Sequence, residues 1–348
     1  MSTDSTLFLG VDLHKDSLTL CGQDRDGSIL LRETLAAKCH NLIRNRFTQL
    51  AGQHRLAVAV ESVGFYQWFW DTVQPVAHEL HLADASQVRA AAGRQAKTDQ
   101  NDAATLARLL RQNSLPEAFV PDPDLRELRA FVRHRQRIQR RCASIKNSLR
   151  CEMNKLGLPG PLELNSASLH KWLSAQYGKL SLSARNSCDD LAEELALFES
   201  QLRRQDDRLA RFIAEHTRFR EPIERIMSIP GFGLLTAALV YAETGGLARF
   251  EREEEVACYA GLTPRVFQSA DSCRHGRIAK SGPPIMRKCL VNAAWTAVRT
   301  CPAIRQRFNS IAKRTGKKKA VIAIARKLLC LAWTLEKKKT VFDAARVA

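Results

Sequence analysis

The sequence predicts an α/β unit followed by a longer, mostly helical region. Three observations carry that expectation. Short apolar runs in the first 84 residues alternate with turn signals and helix-period segments. A proline-bearing stretch, "LPEAFVPDPDLREL" (115–128), ends the alternation. Beyond it the pattern is almost wholly helical.

The elements follow in order. Residues 7–13, "LFLGVDL", read as a buried strand, and 17–22 and 28–34 as two more. "DRDG" (24–27) supplies the turn between the second and third. A helical stretch near 41–51 precedes the strand "LAVAVE" (56–61), and the aromatic-rich helix "FYQWFWDTV" follows. A short strand at 80–84 leads into helical residues 86–94 and 100–113. Three antiparallel strands and then alternating helix and strand is the order of a ribonuclease H-like fold. Residues 124–156 read as one long basic helix, broken by "GLPGPLELNSAS" (157–168). Residues 187–216 are charged and heptad-like, which suits either a coiled-coil arm between protomers or a helical pairing within one chain. A third region opens near Pro222. There "SIPGFGLLTAALVYAETG" (228–245) has the pattern of a helix–hairpin–helix, with Gly231 and Gly233 able to let backbone N–H groups approach a phosphate. A short helix, a loop, a hairpin and a helix from about Pro284 come next, and "GKKK" leads into a last amphipathic helix. The domains expected are therefore 1–115, 116–221 and 222–348.

Composition narrows the function. The chain has 348 residues and a formal net charge of +18, which points to a polyanionic partner. The charge is concentrated. Arg274 to Lys339 holds 18 Lys/Arg against one acid, and Arg126 to Arg150 holds nine against one, leaving the remainder slightly acidic. These are expected nucleic-acid tracks, with Arg133, Arg137, Arg140 and Arg141 on the first and Arg274, Arg277, Lys280, Lys317, Lys318 and Lys319 on the second. Ten scattered cysteines without a C-x-x-C pair argue against a zinc ribbon, and "HELH" (78–81) lacks the spacing of a zinc-binding helix. No apolar run reaches membrane-spanning length, and the first residues lack the form of a signal peptide, so a cytoplasmic, nucleoid-associated protein is expected.

Four carboxylates stand out. Asp12 interrupts the first strand's apolar run, and Glu61 ends the fourth strand where an apolar residue would be expected. Asp99 and Asp102 open a later helix on one face. First-turn acids also serve as caps. Converging on one sheet edge, however, four such groups would repel unless a divalent cation neutralised them, and Mg²⁺ (with Mn²⁺ as a substitute) is the hard ion for oxygen ligands.

These motifs carry a resemblance. "GVDLHK", "AVESVGFY", "KTDQNDAATLA", "IPGFG", "YAGLTPR", "GRIAKSG" and "GKKKAVIAIARKL" stand in order and at fitting distances. On them the chain is identified as a member of the DEDD-type insertion-sequence transposases, the one-ten family that includes the pilin-gene invertases. The resemblance implies a RuvC-like N-terminal domain with Asp12, Glu61, Asp99 and Asp102 as its metal tetrad. It also implies a C-terminal transposase domain with a nucleophilic serine shortly after "GLTPR". Ser269 matches best and Ser272 is the fallback, with Asp271 standing where a small or hydroxyl residue is common. A cytoplasmic Mg²⁺-dependent recombinase follows, acting on donor and target duplex DNA through a covalent phosphoserine. A structured guide RNA and a homo-oligomer, dimer or tetramer, are implied as partners, and no membrane. The alternatives are a RuvC-type structure-selective nuclease using water, a recombinase that reads DNA without RNA, and a non-catalytic nucleic-acid-binding protein.

Overall fold

The computed structural model describes residues 5–92, 98–269 and 272–343, with the side chains of residue 92 and of residues 266–275 outside that description. The chain divides between Val120 and Pro121 into two units, within five residues of the first expected boundary.

The first unit is built on β1 (Thr6–Leu13), β2 (Ser17–Gln23), β3 (Ile29–Ala36), α1 (His40–Gln53), β4 (Arg55–Glu61), α2 (Gln67–Val73), β5 (Glu79–Ala83), α3 (Ala85–Ala92) and α4 (Asp99–Arg111). The sheet order is β3-β2-β1-β4-β5. β1, β2 and β3 are antiparallel neighbours, and β1, β4 and β5 run parallel. β1 reads as a near-continuous apolar run because both its faces are covered. Leu7, Leu9, Val11 and Leu13 pack with Ile43, Phe47 and Leu50 of α1 and Phe69 and Val73 of α2. The alternate residues face α4. Gly10 lies so close to that helix that an added Cβ would stand 2.0 Å from the Ala103 carbonyl oxygen and 2.6 Å from the Ala107 nitrogen. Asp12, two residues on, shares this face. The strands, α1, α2 and α4 match the expected order to within two or three residues at each end.

The second unit contains α5 (Pro123–Lys155), α6 (Ser166–Gln176), α7 (Leu182–Glu215), α8 (Thr217–Met227), α9 (Leu234–Thr244), α10 (Glu253–Tyr259), the hairpin β6 (Pro264–Ser269) and β7 (Ser272–Ile278), α11 (Pro284–Thr300), α12 (Pro302–Thr315) and α13 (Lys317–Lys338). α5 and α7 pack antiparallel in two separate apolar clusters. Ile138, Cys142, Ile145, Leu149 and Met153 meet Cys188 and Leu195 with Leu169 and Leu173 of α6. Leu125, Leu128 and Val132 meet Leu209, Phe212 and Ile213, and join the core around α9, α11 and α13. Between the clusters lie buried Gln136 and Gln205 and the Arg135–Asp206 ion pair at 2.8 Å. Within one chain α7 thus packs on α5 through these residues, while its Leu182 and Leu197 are exposed.

Pro222 stands near the start of the third expected region. It lies inside α8, buried among Phe219, Ile223 and Ile226. Interior proline costs a helix roughly 3 kcal/mol, and the buried apolar face of α8 offsets that cost.

Arg133 takes a structural place. Its Nε and Nη2 donate to the two carboxylate oxygens of Glu243 at 2.7 and 2.8 Å, and Glu243 on α9 is only 1% exposed. Arg129 donates to the Ala242 and Glu243 carbonyls, fastening the same two helices.

Two expectations follow for stability. Gly10→Ala should force α4 off the sheet at a cost of about 1–3 kcal/mol, seen as a melting temperature lowered by several degrees; an unchanged melting point would mean the helix is not seated tightly. Arg133→Ala should cost about 2–4 kcal/mol by leaving Glu243 buried and unpaired. Exposed Arg140→Ala should stay within about 0.5 kcal/mol of the parent. Equal effects in chemical denaturation would remove the structural role given to Arg133.

Candidate active site

The carboxylate site begins at the end of β1. Asp12 pairs with Thr19 of β2 in the sheet, and it is only 4% exposed. α4 opens directly over this strand end. Its N-cap is Thr98, whose hydroxyl accepts the Asn101 N–H at 3.2 Å. Capping is therefore done by a neutral hydroxyl. Asp99 and Asp102, three apart on the first turn, are left for another use.

That use is visible in the geometry. His14 Nε2 lies 3.1 Å from Asp12 Oδ2 and 3.3 Å from Asp99 Oδ1, bridging the two acids. Ligand atoms of Asp12, His14 and Asp99 all fall within 4.8 Å of one another. The Asp12 carboxyl is pushed above its ordinary range, first by burial and then by the negative charges of Asp102 and Asp99, with His14 partly offsetting them. A buried acid faced by two like charges is a poor solution for a stable core. It fits a centre that receives a cation.

Glu61 reaches the same edge from the neighbouring strand. β1 and β4 run in register to the pair Val11–Val60, so Asp12 and Glu61 occupy the next rung and face the same side of the sheet. Glu61 Oε1 stands 3.9 Å from Arg89 Nη2 of α3 and is not one of the three grouped ligands. The structure thus brings Asp12, His14 and Asp99 together, with Asp102 near enough for its charge to act on Asp12, and holds Glu61 one strand away at the same level. His14 was not foreseen. Its signal was in "GVDLHK", since strand alternation places residues 12 and 14 on one face. Oxygen donors dominate the set, which suits Mg²⁺ or Mn²⁺ better than a soft metal.

The serine segment lies in the second unit. Ser269 ends β6 and is the register partner of Ser272, which opens β7. Both candidates therefore flank the same hairpin tip. Ala270 and Asp271 lie outside the described residues, as do the side chains of Ser269, Ser272 and Arg274. The base of the hairpin is locked by close approach. A Cβ on Gly261 would meet the Ser281 carbonyl at 2.2 Å, and one on Gly282 would meet the Tyr259 carbonyl at 1.8 Å. Arg287 Nη1 donates to the Ser281 and Gly282 carbonyls at 2.6 and 2.9 Å. The motifs "YAGLTPR" and "GRIAKSG" are thus two halves of one platform.

The basic residues divide by role. Arg133 is paired with buried Glu243, and its own side chain is 52% exposed. Arg137 contacts His134 at 3.3 Å, and Arg141 lies 5.4 Å over the Phe198 ring. Arg137, Arg140, Arg141, Arg277 and Lys280 are exposed. Lys317, Lys318 and Lys319 are exposed in the first turn of α13, which holds no acid. Gly231, at φ +87°, is packed on α11, where a Cβ would lie 2.3 Å from the Ala293 carbonyl. That contact alone explains its glycine. Gly233 has open space about it. Among the described residues no helix is long and apolar enough to cross a membrane.

Comparison with known proteins accords with these arrangements. Residues 9–156, from β1 through α5, match the DEDD-type model described as "Transposase". Residues 223–309 match the model described as "Transposase IS116/IS110/IS902 family". The chain is 24% identical over 341 residues to a probable family 20 transposase of Pseudomonas aeruginosa, covering 96% of this chain and 98% of that one. It is 22% identical over 340 residues to the transposase for insertion sequence element IS1111A of Coxiella burnetii, covering 94% and 89%. It is 25% identical over 299 residues to the pilin gene-inverting protein of Moraxella bovis, covering 83% and 82%. With both units matched by transposase models and whole-length relatives of the same kind, the chain belongs to the IS110 family of insertion-sequence transposases.

Proposed function

We propose that this transposase excises and inserts its mobile element by divalent-metal-dependent DNA strand exchange through a covalent phosphoserine. The observation that carries the metal-dependent part is the convergence of Asp12, His14 and Asp99, with buried Asp12 held against its like-charged neighbours. Asp12, Glu61, Asp99 and Asp102 hold the cation in this reading. When bound, Mg²⁺ supplies a Lewis acid that polarises the scissile phosphate and stabilises charge on the departing oxygen. His14 orients Asp12 and Asp99 through its bridging contacts.

Ser269 is the proposed nucleophile, presented at the tip of a hairpin whose base is fixed. Its Oγ forms a bond to phosphorus as the P–O3′ bond breaks, and in net the hydroxyl proton ends on the 3′ oxygen. The phosphodiester bond energy is kept in the serine ester for rejoining. Exposed Arg277 and Lys280, beside the hairpin, contact neighbouring phosphates. So do Lys317, Lys318 and Lys319, and the turn at Gly233 offers backbone N–H groups to a phosphate. Arg274 belongs to the same segment.

A structured RNA is the proposed source of sequence recognition, held by the exposed arginines of α5, Arg137, Arg140 and Arg141. Such contacts give affinity without sequence preference, so base pairing would do the reading. The active form is proposed as a homo-oligomer.

Two measurements test this reading. Mg²⁺ at a hundred times its dissociation constant should stabilise the parent chain by about 2.7 kcal/mol and leave Asp12→Asn unmoved. The pH dependence has a defined sign. Because the folded-state pKa of Asp12 is raised, its stabilising contribution is present in acid and is lost as pH rises through that value. Without metal, Asp12→Asn should therefore gain in melting temperature over the parent as pH rises toward neutrality, and added Mg²⁺ should close the gap. A gap that shrinks with rising pH would remove the cation-centre assignment. For the serine, denatured lysate from cells carrying the element should contain protein-linked DNA, lost in Ser269→Ala and kept in Ser272→Ala. The reverse pattern would move the nucleophile to Ser272. Excision without any adduct would support a water-mediated nuclease instead.

A further inference from the structure

The face of the sheet that carries Asp12 does not end at the carboxylate site. Asp12 pairs with Thr19, and Thr19 pairs with Thr34 on β3, so one row crosses three strands on the α4 side. The Thr19 and Thr34 hydroxyls stand 3.5 Å apart. The next row is Gly10, Cys21 and Arg32. α4 covers the Gly10 end of these rows, but Arg32 and Thr34 remain exposed. Together with Gln100 on the first turn of α4, they line a small cleft of about 130 Å³ beside the acids.

The chemistry of this cleft is one-sided. Thr19, Thr34 and Gln100 offer hydroxyl and amide groups. Arg32 is the register partner of Cys21 and is paired to no carboxylate among the described residues. The acid next to it in sequence, Glu33, points to the opposite face, where Arg46 of α1 holds it through three donated hydrogen bonds. Glu33 also lines the cleft, but with its carboxylate held by Arg46 the guanidinium of Arg32, beside the neutral donors, is suited to a phosphate rather than to a cation or an acyl group.

We propose that this cleft holds the backbone of the DNA strand where it leaves the cleaved phosphate, with Arg32 on a phosphate and Thr34 and Gln100 on adjoining oxygens. The proposal rests on the reading that the carboxylate site cuts DNA. Thr34 lies two strand spacings from Asp12, about 10 Å. That corresponds to about three nucleotides of duplex rise. The cleft thereby fixes which way the strand runs across the acids. It gives Arg32 a positioning role distinct from metal binding.

The test is a site-directed cross-link in the full-length chain. The probe is duplex DNA spanning an element end, with an activated disulfide tethered to single backbone phosphates one to five nucleotides from the cleavage position. Thr34→Cys should form an adduct, mapped to residue 34 by mass spectrometry, about tenfold above Thr48→Cys on α1 across the sheet. Yield should peak near the third nucleotide. Arg32→Ala should slow strand cleavage about tenfold with the Mg²⁺-induced rise in melting temperature retained, and Arg32→Lys should recover part of the rate. Equal yields at residues 34 and 48 would overturn the proposal, as would capture of the matching RNA probe alone or an unchanged rate in Arg32→Ala. These outcomes are separable from failure of the parent reading, which would show as Asp12→Asn cutting DNA like the parent.

Discussion

The seat of α4 on β1 is the constraint from which the carboxylate site follows. Gly10 removes the one atom that would hold the helix away, and the helix backbone fills that space. The strand's two-residue period then sets Asp12 on the same face. The cap at Thr98 starts the helix one residue before Asp99, so both helix acids are delivered over the strand end in its first turn. None of these choices is local. A longer side chain at position 10, or a helix begun a residue later, would leave the same acids in the sequence and scatter them in space. The repulsion at Asp12 is a result of this closeness, and the fold tolerates it because packing on both faces of β1 holds the strand in place.

The second unit shows how a strongly basic chain separates its arginines into two kinds. Some are spent on architecture. Arg133 and Arg129 close α5 onto α9, Arg135 joins α5 to α7, and Arg287 ties down the loop under the hairpin. Others, such as Arg140 and Arg277, stand in water. Their partners distinguish them. Glu243 is almost fully buried, and a buried carboxylate demands a cation within the fold. Counting charge along the chain finds the basic segments but not which of their members pair within the fold.

Sequence reading reached the strand order, the two basic segments and the positions of the four acids, because each leaves a local mark. Asp12 and Glu61 interrupt apolar runs, and Asp99 and Asp102 repeat at helical spacing. What escaped it was set by distance along the chain. The partner of Arg133 lies 110 residues away. The partner of the α7 stripe is α5, and a heptad pattern is the same whether its complement is in the same chain or another. The continuation of α8 through Pro222 is illegible locally, because the proline's cost is local whereas the apolar face that offsets it is assembled from distant helices. Gly231 also makes room for the neighbouring helix α11, a contact that no local pattern announces. His14 was in view and passed over because its role depends on Asp99, 85 residues on.

The lysines that open α13 have a consequence for the free protein. A helix start attracts negative charge, yet this one carries three positive side chains and no acid in its first turn. The surrounding 66 residues hold 18 cations against a single anion. Alone, this region stores its own repulsion; against a polyanion, the same charges become attractive and the counter-ions they hold are released. A nucleic acid laid on this region would relieve that repulsion and so add to the cohesion of the protein that holds it.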